Sequence, residues 1–146
     1  MAERLTIPGF VNAHSHAFQR ALRGRTEGGD FWAWRESMLD VASRLAPGQV
    51  RKDYVDVYRE QLGAGYTAVG EFHYLGLEEA VAAAEAAEEA GIGFVLLYAA
   101  YGRGGLERFR QESVAVCVHE PRQRKRFRHR RILSAWLHAR CPRNWR

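Results

Sequence analysis

The sequence is poor in cysteine, with only Cys117 and Cys141 among its 146 residues. Two thiols near one end make no disulfide framework, and the expected compartment is the reducing cytoplasm. Long apolar runs are also missing. None approaches the ~18 residues that a membrane span requires, so no membrane partner is expected. Met1 to Phe10 has no basic stretch leading into an apolar one, and no secretory signal is expected there. A third scarcity is local: Glu120 is the only acid after residue 113.

What is present is globular. The chain is 47% hydrophobic and 27% charged, which excludes a disordered or collagen-like protein. Charge divides unevenly. Residues 1–113 carry 12 Lys/Arg against 16 Asp/Glu, whereas residues 114–146 carry ten against one. Such asymmetry belongs to a nucleic-acid or membrane tail, or to a coding frame read out of register. The tail is rich in Arg, His, Trp, Pro and Cys, as a G+C-rich gene becomes when read out of frame. A frame break near residues 106–118 is therefore expected. It separates a folded region, 1–113, from a basic, disordered tail, 114–146.

Within the first region the pattern alternates. Leu5 to Val11 is apolar and β-branched and reads as a strand, kinked by Pro8 and Gly9. Residues 20–30, with three glycines, read as a loop. Phe31 to Leu45 places Trp34, Met38, Val41 and Leu45 on one helical stripe, with Asp30 as N-cap. Pro47 opens a second helix whose apolar face is Val50, Tyr54, Val57, Tyr58 and Leu62. Tyr66 to Tyr74 is a second strand, Glu78 to Ala90 an Ala/Glu-rich helix stopped by Gly91, and Ile92 to Tyr101 a third strand. The near-continuous apolar third strand suits a parallel sheet covered on both faces. The expected fold is α/β, with parallel strands whose C-terminal ends share one edge. Those ends carry His14 and His16, His73 and Tyr74, and Tyr101. The C-terminal edge of a parallel sheet is where such folds place their active sites.

His14-Ser15-His16 carries the clearest chemistry. Side chains at i and i+2 of a strand point the same way, so two neutral imidazoles can grip one divalent metal such as zinc. A bare His-x-His is more often a pair of surface histidines. The preceding strand and the following glycine loop favour the metal reading.

The motif has a familiar setting. Pro8-Gly-Phe-Val-Asn-Ala-His-Ser-His16 resembles the first barrel strand of the amidohydrolase superfamily. Ala17-Phe-Gln-Arg-Ala21, Phe31-Trp-Ala-Trp-Arg35 and Ala64-Gly-Tyr-Thr-Ala-Val-Gly-Glu-Phe-His-Tyr74 are similar to its formimidoylglutamate deiminase (N-formimino-L-glutamate iminohydrolase) branch. The likeness covers residues 5–105. It implies a partial (β/α)8 TIM-like barrel of about three parallel strands with flanking helices, followed by the irregular basic tail. It implies one divalent metal, zinc by preference, on His14 and His16. It further implies that Gln19 touches the substrate, that Arg35 meets its glutamate end and that Tyr74 lines the pocket. The implied reaction is hydrolysis of a C=N bond in histidine degradation: hydroxide attacks the formimino carbon of N-formimino-L-glutamate and ammonia leaves. The later strands that would supply further ligands and the acid/base group are not recognisable, so the chain is expected to be an inactive fragment of a homo-oligomeric enzyme.

Each assignment has an alternative. Gln19 can be an ordinary surface residue, Arg35 can pair with a neighbouring acid, and Tyr74 can be strand packing. His73 reads as structural, within reach of Glu71 on the same side of its strand. Another deaminase or chlorohydrolase of the superfamily is the runner-up. A third reading takes the seven Lys/Arg and His129 within residues 121–131 as a phosphate-binding cluster, with Phe127 to stack on a base. Nucleic acid is not the expected partner, since such clusters are more often solvated.

Overall fold

The computed structural model describes residues 5–100 and the backbone of 132–138. Its order is β1 (Phe10–Ser15), a 3-10 helix (Ala17–Leu22), α1 (Phe31–Arg44), α2 (Pro47–Gly63), β2 (Tyr66–His73), α3 (Leu77–Ala90), β3 (Gly93–Ala100) and β4 (Ile132–His138). The strands form one sheet in the order β1-β2-β3-β4, each pair parallel.

Local chemistry sets the boundaries. The Asp30 carboxylate accepts the Ala33 N–H at 2.8 Å and so caps α1. Pro47 takes the first turn of α2, where its missing N–H costs nothing. Gly91, at φ +81°, makes the left-handed cap that ends α3, and two residues later the chain enters β3.

Among the described residues, helices cover one face of the sheet. Val69, Glu71 and His73 of β2, with Phe94, Leu96 and Tyr98 of β3, are buried on the side that α2 and α3 cover. The alternate residues Phe72, Val95 and Leu97 are only half-buried, because they point to the other face. Tyr54 and Tyr58 of α2 are fully enclosed, and Ala80, Ala83, Ala84 and Ala87 give α3 a buried flank of small side chains. Burying each large apolar side chain contributes about 1.5–3 kcal/mol. The Arg51–Glu89 and Arg59–Glu89 pairs across the two helices are exposed and contribute roughly 0–1 kcal/mol each, so packing dominates.

Three sequence expectations change. The first strand begins at Phe10 rather than Leu5 and runs through the histidine motif to Ser15. The 3-10 helix continues to Leu22, into the stretch expected as loop. Ile132–His138, expected to be irregular, pairs residue by residue with β3 from Phe94↔Ile132 to Ala100↔His138. A strand inside a parallel sheet has no alternating pattern to reveal it, and this one lies next to an arginine-rich run. β4 therefore occupies the edge of β3 away from β2. The basic cluster at 121–131, Cys117, Cys141 and Tyr101 lie outside the described residues, as does the boundary at 113. No helix among the described residues is long and apolar enough to cross a membrane.

Candidate metal centre

The site sits where β1 ends beside β2. Asn12 pairs with Val69 and Ser15 with Glu71, so β1 spends three residues where β2 spends two. The extra residue makes a bulge at Ala13–His14, a device that re-aims side chains. Two neighbours accommodate it. The Asn12 side chain accepts the His14 N–H at 3.3 Å. Gly70 lets the Ala13 carbonyl come close: a Cβ there would stand 2.9 Å from that oxygen.

The two imidazoles converge. His14 Nε2 and His16 Nε2 are 3.0 Å apart, with ring centroids separated by 4.8 Å and planes at 74°. His16 Nδ1 lies 2.8 Å from the Phe72 carbonyl oxygen. A carbonyl only accepts, so Nδ1 carries the proton and Nε2 of the neutral ring presents a lone pair. The proton between the two Nε2 atoms then belongs to His14. Burial lowers the His16 pKa, aided by the neighbouring His14, while the Phe72 hydrogen bond works the other way. A ring held neutral, with its second nitrogen tied to a carbonyl, is what a metal ligand requires.

The spacing also fits. Two nitrogens about 2.0–2.1 Å from one ion at a tetrahedral angle stand about 3.3 Å apart. The observed 3.0 Å is a few tenths from that, reached by a small ring rotation. The described residues offer two candidate ligands; among them no group of three or more His, Cys, Asp or Glu surrounds a common point.

Aromatic rings wall the pair. Phe72 stacks on His14 at 5.4 Å and 14°, and it meets His16 edge-on at 5.6 Å. Tyr74 meets His16 at 5.4 Å and Phe18 at 5.8 Å. Tyr74 thus packs beside the histidine pair, but it is buried and its hydroxyl donates to Met38 Sδ at 3.3 Å. Gln19 is one 3-10 turn past His16, its N–H on the His16 carbonyl at 2.9 Å, with a half-buried side chain. Arg35 stands on α1, paired with Glu36 at 3.1 Å and stacked over Trp32 at 5.7 Å. The ion pair is the one its alternative reading expects.

Glu71 and His73 do not pair. The His73 Nε2 faces the Gly76 carbonyl at 3.2 Å, its Nδ1 has no partner, and its ring stacks on Tyr98. Burial pushes its pKa down to about 4. Glu71 instead accepts the Ala17 N–H at 2.8 Å and the Tyr58 hydroxyl at 3.4 Å, and its hydroxyl partners include Ser15. Burial pushes its pKa up to about 7, against the pull of these hydrogen bonds. Asn12, Gly70 and Phe72 were not singled out from sequence. A glycine inside an otherwise bulky strand is the signal that marks Gly70.

Parallel strands with helices on one face, and a histidine pair at the C-terminal end of the first strand, define an α/β protein of the barrel type. Residues 5–140 match the amidohydrolase family model. The chain belongs to the amidohydrolase family. It is 42% identical to formimidoylglutamate deiminase of Pseudomonas aeruginosa, over 71% of this chain and 27% of that protein. It is 37% identical to a 5-methylthioadenosine/S-adenosylhomocysteine deaminase of Archaeoglobus fulgidus, over 74% of this chain and 25% of that one. The chain therefore spans about a quarter of the length of these curated relatives. Among solved structures it superposes on a zinc-complexed mutant of atrazine chlorohydrolase from Arthrobacter aurescens. The TM-score is 0.76 at 22% identity, covering 88% of this chain and 34% of that chain. Guanine deaminase of E. coli follows at a TM-score of 0.70 and 19% identity, covering 87% and 30%. These superpositions show the barrel fold. The three central strands and flanking helices are thus part of a TIM-type barrel.

Proposed function

We propose that this chain forms part of the barrel of a metal-dependent iminohydrolase that converts N-formimino-L-glutamate to N-formyl-L-glutamate and ammonia. The observation that carries the metal part is the convergence of His14 and His16, with the His16 tautomer set by the Phe72 carbonyl. The substrate is supported by the 42% identity to a formimidoylglutamate deiminase.

A bound divalent ion, zinc by preference, activates water at neutral pH. His14 and His16 would supply two of the three protein ligands usual at a catalytic zinc, and the third would come from outside the described residues. Phe72 and Tyr74 exclude water from one side of the imidazoles. Gln19 presents an amide to the substrate from the turn after His16. Arg35 offers its fork to the glutamate carboxylates, since it uses one arm on Glu36 and keeps further N–H donors.

The test is ammonia release by the full-length protein, with formiminoglutamate, 5-methylthioadenosine and guanine offered side by side. Release from formiminoglutamate alone is expected. Preference for 5-methylthioadenosine would favour the second reading, which rests on the 37% identity to a deaminase of that nucleoside. Arg35→Ala should raise KM for formiminoglutamate about ten- to a hundredfold, as loss of a charge-assisted contact does. An unchanged KM would remove Arg35 from the substrate site.

A further inference from the structure

Glu71 is fully buried and the two-histidine site does not use it directly. Its contacts single out one short stretch of chain. It lies opposite Ser15 in the β1–β2 register. Its Oε1 accepts the Ala17 N–H at 2.8 Å, and the Ser15 hydroxyl is a further partner. Ser15 and Ala17 are the residues on either side of His16. The Tyr58 hydroxyl, from α2, braces the other carboxyl oxygen at 3.4 Å.

His16 itself points to the opposite face of the sheet. There its Nδ1 is held at 2.8 Å by the carbonyl of Phe72, the residue after Glu71. Two adjacent residues of β2 therefore grip Ser15, His16 and Ala17, where β1 passes into the 3-10 helix, from both faces. One grips the backbone and the hydroxyl, the other the ring. The grip is needed at this point, because the bulge at Ala13–His14 interrupts the regular ladder just before His16. Without it, the turn from β1 into the 3-10 helix, and with it the angle at which the two Nε2 atoms meet, would lose its anchor on the helix-covered face.

We propose that Glu71 is the positioning residue of the metal centre: its carboxyl clamps Ser15 and Ala17 and thereby sets the meeting angle of His14 and His16. This rests on the reading of that pair as metal ligands. Glu71 touches neither metal nor substrate in this role.

The test compares wild type, Glu71→Ala, Glu71→Gln and Ser15→Ala in the full-length protein. Three quantities are read: zinc affinity by competition with a chromophoric chelator, the visible spectrum of the cobalt-loaded form, and hydrogen exchange at the Ala17 amide without metal. Glu71→Ala should weaken zinc binding about 10–100-fold, the usual loss for a partner behind the ligands, and alter the cobalt spectrum. Glu71→Gln keeps an acceptor for the Ala17 N–H and should restore most of the affinity and the spectrum. Ser15→Ala, which removes one contact and leaves the carboxyl buried, should weaken binding several-fold and keeps the test open if Glu71→Ala does not fold. Faster exchange at Ala17 should accompany each loss.

Wild-type affinity and spectrum in both Glu71→Ala and Ser15→Ala would overturn the proposal, even if thermal stability falls. If Glu71→Ala does not fold, wild-type affinity in Ser15→Ala with slow Ala17 exchange would do so. Failure of the wild type to bind zinc would instead overturn the metal reading on which it stands.

Discussion

His16 stays neutral near pH 7 because burial disfavours its charged form, and the Phe72 carbonyl fixes which nitrogen is left bare. His14 stacks on Phe72 without a carbonyl on its second ring nitrogen among the described residues, so the two candidate ligands are unequal. His16→Ala should abolish zinc binding, and His14→Ala should weaken it strongly while leaving the fold intact. Metal content by atomic absorption after dialysis checks both. The buried pair on the other face makes a pH prediction. Glu71 titrates at about 7 instead of 4.5, so its folded state holds the proton more tightly. Its contribution to stability is full below about pH 4.5 and is lost as the pH rises to about 7. His73 titrates at about 4 instead of 6.5, and its contribution is lost as the pH falls from about 6.5 to about 4. Each is worth on the order of 3 kcal/mol over its window, with opposite slope between about pH 4.5 and 6.5. Removing one should expose the other: in Glu71→Gln the unfolding free energy should climb from pH 4 to 6.5 relative to wild type. Parallel urea profiles across that range would contradict it. The histidine pair was legible in the sequence because strand periodicity alone aims i and i+2 together. The true partners of Glu71 were not. Same-strand spacing suggested His73, while the structure supplies Ala17 from another strand's end, a contact 54 residues apart in sequence that no local pattern encodes.

At the scale of elements, the helices were read nearly to the residue, because each carries its own stop and start chemistry: Asp30, Pro47 and Gly91. Asp30→Ala should cost about 1 kcal/mol in chemical denaturation, the usual loss of an N-cap. The strands were read less well. The first was placed too early, since Leu5 and Ile7 look like strand residues yet remain 86% and 60% exposed, outside the ladder. Its bulge was invisible, because a bulge is a mismatch between two strands and neither strand shows it alone. Gly70 is its partner in β2, and Gly70→Ala should force the Ala13 carbonyl away from its 2.9 Å approach. Overpacking of this kind costs about 1–3 kcal/mol. The same substitution should lower zinc affinity, because His14 follows Ala13 in the bulge. A Gly70→Ala protein with wild-type stability and affinity would show that the bulge has room to spare.

On the scale of the whole molecule, the described residues cover one face of the sheet with helices and leave the other without them. The helix-covered face holds the fully buried residues, and the opposite face, with Phe72, Val95 and Leu97, is the one onto which the histidines open. The superposed chlorohydrolase and guanine deaminase are about three times the length that this chain covers. Barrel membership was legible from the alternation of elements and the motif at the first strand's end, while β4 was hidden by its surroundings. The fold and the site together make one claim, that this edge of the sheet is a metal centre built on His14 and His16. Anomalous diffraction at the zinc absorption edge, from crystals of the full-length protein grown with zinc, tests it most directly. A single peak bonded to His14 Nε2 and His16 Nε2, with His16 Nδ1 still on the Phe72 carbonyl, is the expected result. Fully occupied zinc elsewhere, with these two rings still sharing a proton at 3.0 Å, would contradict the claim.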